Sequence, residues 1–153
     1  MDATIIPFST DDTISMIYRH QADIELKRPL IGSEIPAGFP SPAQDYIEES
    51  LDLNKHLISH PMATYFVRVE GYSMVNASIY PGDILIVDRA IEPVHKKIVI
   101  AIVDGELTVK RLFQKKGKWF LAPENPEYDS LEITGDMSFK IWGVVIYAIH
   151  KMR

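Results

Sequence analysis

From Thr64 onward the sequence is a succession of short runs rich in Val, Ile and aromatic residues: Thr64 to Glu70, Asp83 to Arg89, Ile98 to Asp104, Leu107 to Phe113, Trp119 to Ala122 and Phe139 to Ile149. Runs of this length and composition fit a pleated, half-buried surface. Turn signals separate them. Tyr80-Pro81-Gly82-Asp83 presets one reversal and Asp104-Gly105 another. Lys115-Lys116-Gly117-Lys118 is most simply a solvated hairpin turn. The pattern constrains this part of the chain to a mainly β domain of six strands.

The region before it differs. Residues 1 to 37 hold six acidic residues against three basic ones, so they carry −3 of the chain's −5. A short helix is expected from about Asp11 to His20, where Ser9 or Thr10 can cap and Ile14, Ile17 and Tyr18 share a face. Beyond it Pro29, Pro36, Pro40 and Pro42 interrupt regular structure, so residues 1 to 37 read as an extended arm. Ser41-Pro42-Ala43-Gln44 has the form of a helix start, with a capping serine, a proline at the first helical position and a capping-box glutamine. A further helical turn or two is expected from Asp52 through Leu57, ended by Pro61.

Bulk properties narrow the function. A chain of 153 residues buries about 70% of its unfolded surface and needs no metal or disulfide to fold. The absence of cysteine removes thiolate nucleophiles and thiolate zinc sites, and it fits a reducing cytosol. A net charge of −5 argues against broad, sequence-independent DNA binding, which needs a basic surface, and no direct sequence-specific DNA binding is expected either. The longest uncharged apolar stretch, Ile141 to Ile149, is about half of the ~20 residues of a spanning helix, and Met1-Asp2-Ala3-Thr4 lacks the basic start of a signal peptide. A cytoplasmic location away from the membrane is therefore expected.

Common catalytic motifs are missing. His20, His56, His60, His95 and His150 show no metal-ligand spacing and read as surface or packing residues. The eight glycines form no phosphate-binding loop or dinucleotide fingerprint, so no cofactor is expected. Gly71-Tyr72-Ser73-Met74 remains, directly after the first strand. A glycine there permits a sharp turn, and a serine beyond it can face a cleft with backbone N–H groups nearby; a plain turn serine has the same signature. A serine nucleophile needs a base, and a lysine serves if desolvation makes it neutral. Lys110, in Val109-Lys110-Arg111-Leu112, lies within an apolar strand. The ordinary reading of such a residue is an outward-facing strand lysine.

Seven words from Pro29 to Arg153 change the balance between these readings. They are Ala37-Gly38-Phe39-Pro40-Ser41-Pro42, Leu51-Asp52-Leu53-Asn54, Ala63-Thr64-Tyr65-Phe66-Val67, Gly71-Tyr72-Ser73-Met74, Gly82-Asp83-Ile84-Leu85-Ile86-Val87-Asp88, Val103-Asp104-Gly105-Glu106-Leu107-Thr108-Val109-Lys110 and Gly143-Val144-Val145-Ile146. In this order they resemble the UmuD branch of the UmuD/LexA self-cleaving serine peptidase family.

The resemblance implies a LexA/signal-peptidase-like β-domain with a short helical segment and an extended N-terminal arm. Ser73 aligns with the family nucleophile, Lys110 with its general base, and the backbone N–H groups of Tyr72 and Ser73 with the oxyanion hole. Ala37-Gly38 aligns with the scissile bond, so residues 1–37 would be removed and residues 38–153 retained. The implied function is that of an SOS-response protein. A RecA–single-stranded DNA filament would stimulate cleavage, and the trimmed homodimer would serve a UmuC-like Y-family DNA polymerase in translesion synthesis. Tyr72 departs from the aspartate common in UmuD proteins, and residues 1–28 lie outside the match. The alternatives are a LexA- or phage-type repressor peptidase lacking its DNA-binding domain, for which an arm of 37 residues is too short and too acidic, and a membrane-anchored signal peptidase.

Overall fold

A computed structural model of the chain describes residues 9–10, 14–19, 27–31, 37–38 and 48–152. Two compact units form, residues 1–20 with 60–153, and residues 21–59. In chain order the strands are β1 (Ser9–Thr10), β2 (Ile14–Arg19), β3 (Lys27–Ile31), β4 (Glu48–Asp52), β5 (Thr64–Val69), β6 (Ile84–Asp88), β7 (Ile98–Val103), β8 (Glu106–Lys115), β9 (Lys118–Ala122), β10 (Leu131–Glu132) and β11 (Phe139–Ile149). Among the described residues one short α-helix, α1 (Leu53–Leu57), follows β4.

The large unit is a single sheet in the order β10-β9-β8-β7-β11-β6-β5-β2, with antiparallel neighbours throughout and β1 added parallel to β8. All six strands expected from the sequence form, and the fold is mainly β as expected. The hairpin turns Asp104-Gly105 and Lys116-Gly117 hold both central residues at positive φ, the geometry that matches the twist of the flanking strands.

The sheet closes around one core. Val67 and Val69 of β5, Leu85 and Val87 of β6, Ile100 of β7, Leu107 and Val109 of β8 and Trp142 of β11 belong to one buried cluster. β5 and β8 are separated in the sheet by β6, β11 and β7, so their shared core requires the sheet to curl back on itself. The other face of β7 supplies Val99 and Ala101 to a second cluster with Leu112, Leu121 and Val144. Burial on both faces explains why β7 reads Ile-Val-Ile-Ala-Ile-Val without polar alternation.

β11 bends to serve two neighbours, pairing with β7 through its first half and β6 through its second, with a register shift beside Gly143. A Cβ on Gly143 would lie 2.6 Å from Val87 Cγ1. Gly143→Ala is therefore expected to destabilise the domain by roughly 1–3 kcal/mol through overpacking, a change measurable by urea unfolding.

Near the N-terminus the sequence expectation fails. Of the helix expected over Asp11 to His20, the described part, Ile14–Arg19, is strand β2 on the edge of β5, in the register Ile14↔Val69 to Arg19↔Tyr65. β-Branched and aromatic residues suit either state in so short a run, and the open edge of β5 decides it. Ile14 is buried in the main core.

In the smaller unit β3 and β4 form an antiparallel ribbon that includes Pro29. A two-stranded ribbon leaves alternate N–H positions facing outward, where a proline is tolerated. α1 forms as expected, and the Asp52 side chain caps it by accepting from the Asn54 N–H at 2.9 Å. The helix start expected at Ser41-Pro42-Ala43-Gln44 lies outside the described residues.

Candidate functional site

At the end of β5 the chain turns sharply. Gly71 has φ 73°, a conformation that side chains resist, and it redirects the backbone so that Met74 enters the core while Ser73 is buried beneath the surface. A 3₁₀ turn, Val75–Ala77, follows. The segment after β9 anchors this turn. Glu124 N–H donates to the Ser73 carbonyl at 2.8 Å, Asn76 N–H to the Glu124 carbonyl at 2.8 Å, and Asn125 Nδ2 to the Tyr72 carbonyl at 2.9 Å. The carbonyls of Tyr72 and Ser73 are thus both fixed, and the turn is held by partners some fifty residues away in sequence.

Opposite stands Lys110 of β8. Its half-buried amine lies 3.3 Å from Ser73 Oγ, 2.8 Å from Thr108 Oγ1 and 3.0 Å from the Val109 carbonyl oxygen. The two residues singled out from the sequence, 37 positions apart, are thereby brought together in one site.

The hydrogen-bond chemistry of this triangle is specific. A carbonyl only accepts, so Val109 takes one N–H from the amine. Thr108 Oγ1 takes another when it accepts. A neutral amine has two N–H groups and one lone pair. An ammonium has three N–H groups, enough for Thr108, Val109 and Ser73 Oγ, which accepts from Nζ at 3.3 Å.

The remaining sequence-derived positions are placed as follows. Tyr72 is exposed, so its side chain faces away from the buried Ser73. Ala37 and Gly38 are both exposed and belong to the smaller unit. Their flanking residues 32–36 and 39–47 lie outside the description.

Sequence reasoning missed two contributors. Thr108 sits two residues before Lys110, on the same face of β8, and strand alternation alone places it within reach. The Glu124–Asn125 clamp carried no comparable local signal. Three histidines have hydrogen-bond partners of their own: His60 Nδ1 meets buried Asp88 at 2.6 Å, His150 Nδ1 meets buried Asp83 at 2.6 Å, and His95 Nδ1 accepts from the Gln114 N–H at 2.8 Å. His20 lies outside the described residues. Among the described residues no helix is long and apolar enough to cross a membrane.

Comparison with known proteins bears on the same region. A family model described as peptidase S24-like matches residues 29–146, a span that includes Ser73 and Lys110. Protein SamA of Salmonella typhimurium is 46% identical over 138 residues, covering 90% of this chain and 96% of that protein. Protein ImpA of Escherichia coli is 44% identical over 146 residues, covering 92% and 98% respectively. Protein MucA of Escherichia coli is 43% identical over 122 residues, covering 79% and 83%.

Proposed function

We propose, since this chain belongs to the peptidase S24-like family of self-cleaving serine peptidases, that it cuts its own Ala37–Gly38 bond with a Ser73–Lys110 dyad. The observation that carries the reading is the 3.3 Å approach of the Lys110 amine to the buried Ser73 hydroxyl. Neither residue type is unusual alone. A lysine amine directed at a serine hydroxyl within a buried turn is the arrangement that general-base activation of serine requires.

The chemistry then proceeds with every proton assigned. Neutral Lys110 Nζ takes the Ser73 hydroxyl proton as Oγ attacks the Ala37 carbonyl carbon. The oxyanion that forms is stabilised by the backbone N–H groups of Tyr72 and Ser73. The Lys110 ammonium returns its proton to the Gly38 nitrogen, which leaves as a free amine. A water molecule, deprotonated by the same amine, attacks the acyl ester, and the ammonium returns that proton to Ser73 Oγ as the Ala37 carboxylate is released. Ala37 and Gly38 suit the task because neither side chain obstructs approach to a serine set below the surface.

The cellular role follows from the resemblance to UmuD. A RecA filament on single-stranded DNA would favour the conformation in which the cleavage segment occupies the cleft, supplying no catalytic group. The product, residues 38–153, would act as a homodimeric partner of a UmuC-like Y-family polymerase during synthesis past lesions. An overall charge of −5 is consistent with action beside DNA through other proteins.

Intact-mass spectrometry after incubation with RecA, ATP and single-stranded DNA tests the bond. One cut is expected, yielding a fragment that begins at Gly38. A sequenced fragment beginning elsewhere overturns the assignment of the scissile bond.

A further inference from the structure

The segment after β9 is tied to both halves of the dyad. Glu124 is ion-paired with Arg111, the neighbour of Lys110 on β8. Its N–H donates to the Ser73 carbonyl and its own carbonyl accepts from the Asn76 N–H, each at 2.8 Å. Asn125 follows, and its Nδ2 donates to the Tyr72 carbonyl at 2.9 Å.

Asn125 is itself held by the turn that it begins. Its Oδ1 accepts from the Glu127 N–H at 3.0 Å, and its backbone carbonyl accepts from the Tyr128 N–H at 3.1 Å. These partners fix the sense of the side-chain amide. Turned over, it would set Oδ1 against the Tyr72 carbonyl and Nδ2 against the Glu127 N–H, two pairs of like groups. Local turn chemistry thus presents a donor to Tyr72.

The Tyr72 carbonyl has a special neighbour. It shares a planar trans peptide unit with the Ser73 N–H, one of the two oxyanion donors assigned above. In such a unit the C=O and N–H point in opposite directions, so whatever fixes one fixes the other. Bound by Asn125, the carbonyl faces the segment 124–128 and the Ser73 N–H faces away from it. The carbonyl also accepts from the Val75 N–H, at a longer 3.4 Å, but Val75 belongs to the same turn and cannot anchor it from outside.

We propose that Asn125 is a positioning residue for self-cleavage: its bond to the Tyr72 carbonyl holds the Ser73 N–H in the direction that receives the oxyanion. The proposal rests on the Ser73–Lys110 reading given above. Preorganised donors are effective because they need no reorganisation as charge develops. Losing such a donor outright costs about 10²- to 10³-fold, and losing only its aim costs less, roughly 10- to 100-fold.

The test is the pH–rate profile of spontaneous self-cleavage for the full chain, for Asn125→Ser and for Asn125→Asp. Both variants keep an oxygen that can accept from the Glu127 N–H, so the local turn is retained. Neither can donate to Tyr72 as asparagine does. Serine is neutral but too short, and an ionised aspartate keeps the size but only accepts. The expected result is a rate roughly 10- to 100-fold lower on the alkaline plateau for both. The Asn125→Ser profile should keep the wild-type midpoint, because Lys110 is untouched. Urea unfolding midpoints close to wild type are expected as well. Plateau rates within about 2-fold of wild type for both variants overturn the proposal, since Asn125 would then serve only its own turn. So does a shifted midpoint in Asn125→Ser, which would place its effect on the base. Failure of the dyad reading looks different: the wild-type rate would not rise with pH, or Lys110→Ala would still cut.

Discussion

Ser73→Ala is expected to abolish self-cleavage while leaving the domain folded. The substitution deletes a single oxygen from a side chain that is 2% exposed, so it opens almost no cavity. The bond it removes, to Lys110 at 3.3 Å, is long, and Lys110 keeps its contacts with Thr108 and Val109. A net change of about 1 kcal/mol or less in unfolding free energy follows, since a typical intramolecular hydrogen bond contributes about that much. The kinetic effect is of another order. Without the hydroxyl there is no nucleophile to form the acyl intermediate, and the loss should reach ~10³-fold or more. Intact mass after incubation with RecA, ATP and single-stranded DNA measures the rate, and urea unfolding measures the fold. Cleavage at the wild-type rate would mean that another residue attacks the bond.

The contrast between these two readouts depends on how the site is built. Ser73 is positioned by backbone, through Gly71, the burial of Met74 and the carbonyl bonds from Glu124 and Asn125, and its own hydroxyl does little of the holding. The hydroxyl can then be removed without loosening the turn.

That same construction explains what could be read from the sequence. The strands of the large unit were legible where a run carried its own pattern, as in the apolar β7 or the hairpin of β8 and β9. β2 was not, because Ile14, Ile17 and Tyr18 satisfy a helical spacing as well as a strand, and only the unpaired edge of β5 separates the two. β4, with Glu48, Glu49 and Asp52, has no strand pattern and exists through its pairing with β3. Ser73 and Lys110 could each be picked out as residue types with a possible role, and the family resemblance joined them. Their meeting is a property of topology. Three strands lie between β5 and β8 in the sheet, and its curl brings the turn after one strand onto the face of the other. No local window of sequence contains that curl. Thr108 was within reach of simple alternation; the clamp from Glu124 and Asn125 was not.

Lys110 gives the sharper mechanistic test, because charge and basicity can be separated there. The amine accepts the Ser73 proton only when neutral, so spontaneous cleavage without RecA should accelerate as pH rises from 7 toward about 10, near the ordinary lysine range. The sign is fixed by chemistry. Raising the pH depletes the ammonium form, which cannot act as a base, and enriches the neutral amine, which can. Lys110→Ala removes the base and is expected to stop cleavage at every pH. Lys110→Arg keeps a cation of similar length, yet a guanidinium remains protonated throughout the accessible range. It should therefore be as inactive as the alanine variant, by ~10³-fold or more, with no recovery in alkali. A role for Lys110 as a mere positive charge, orienting Ser73 or stabilising an oxyanion, predicts the reverse, since arginine would then preserve activity. Rates measured from pH 7 to 10 for wild type and both variants decide between the two. If Lys110→Arg cleaves normally at pH 7, the lysine is not the general base and the dyad mechanism fails.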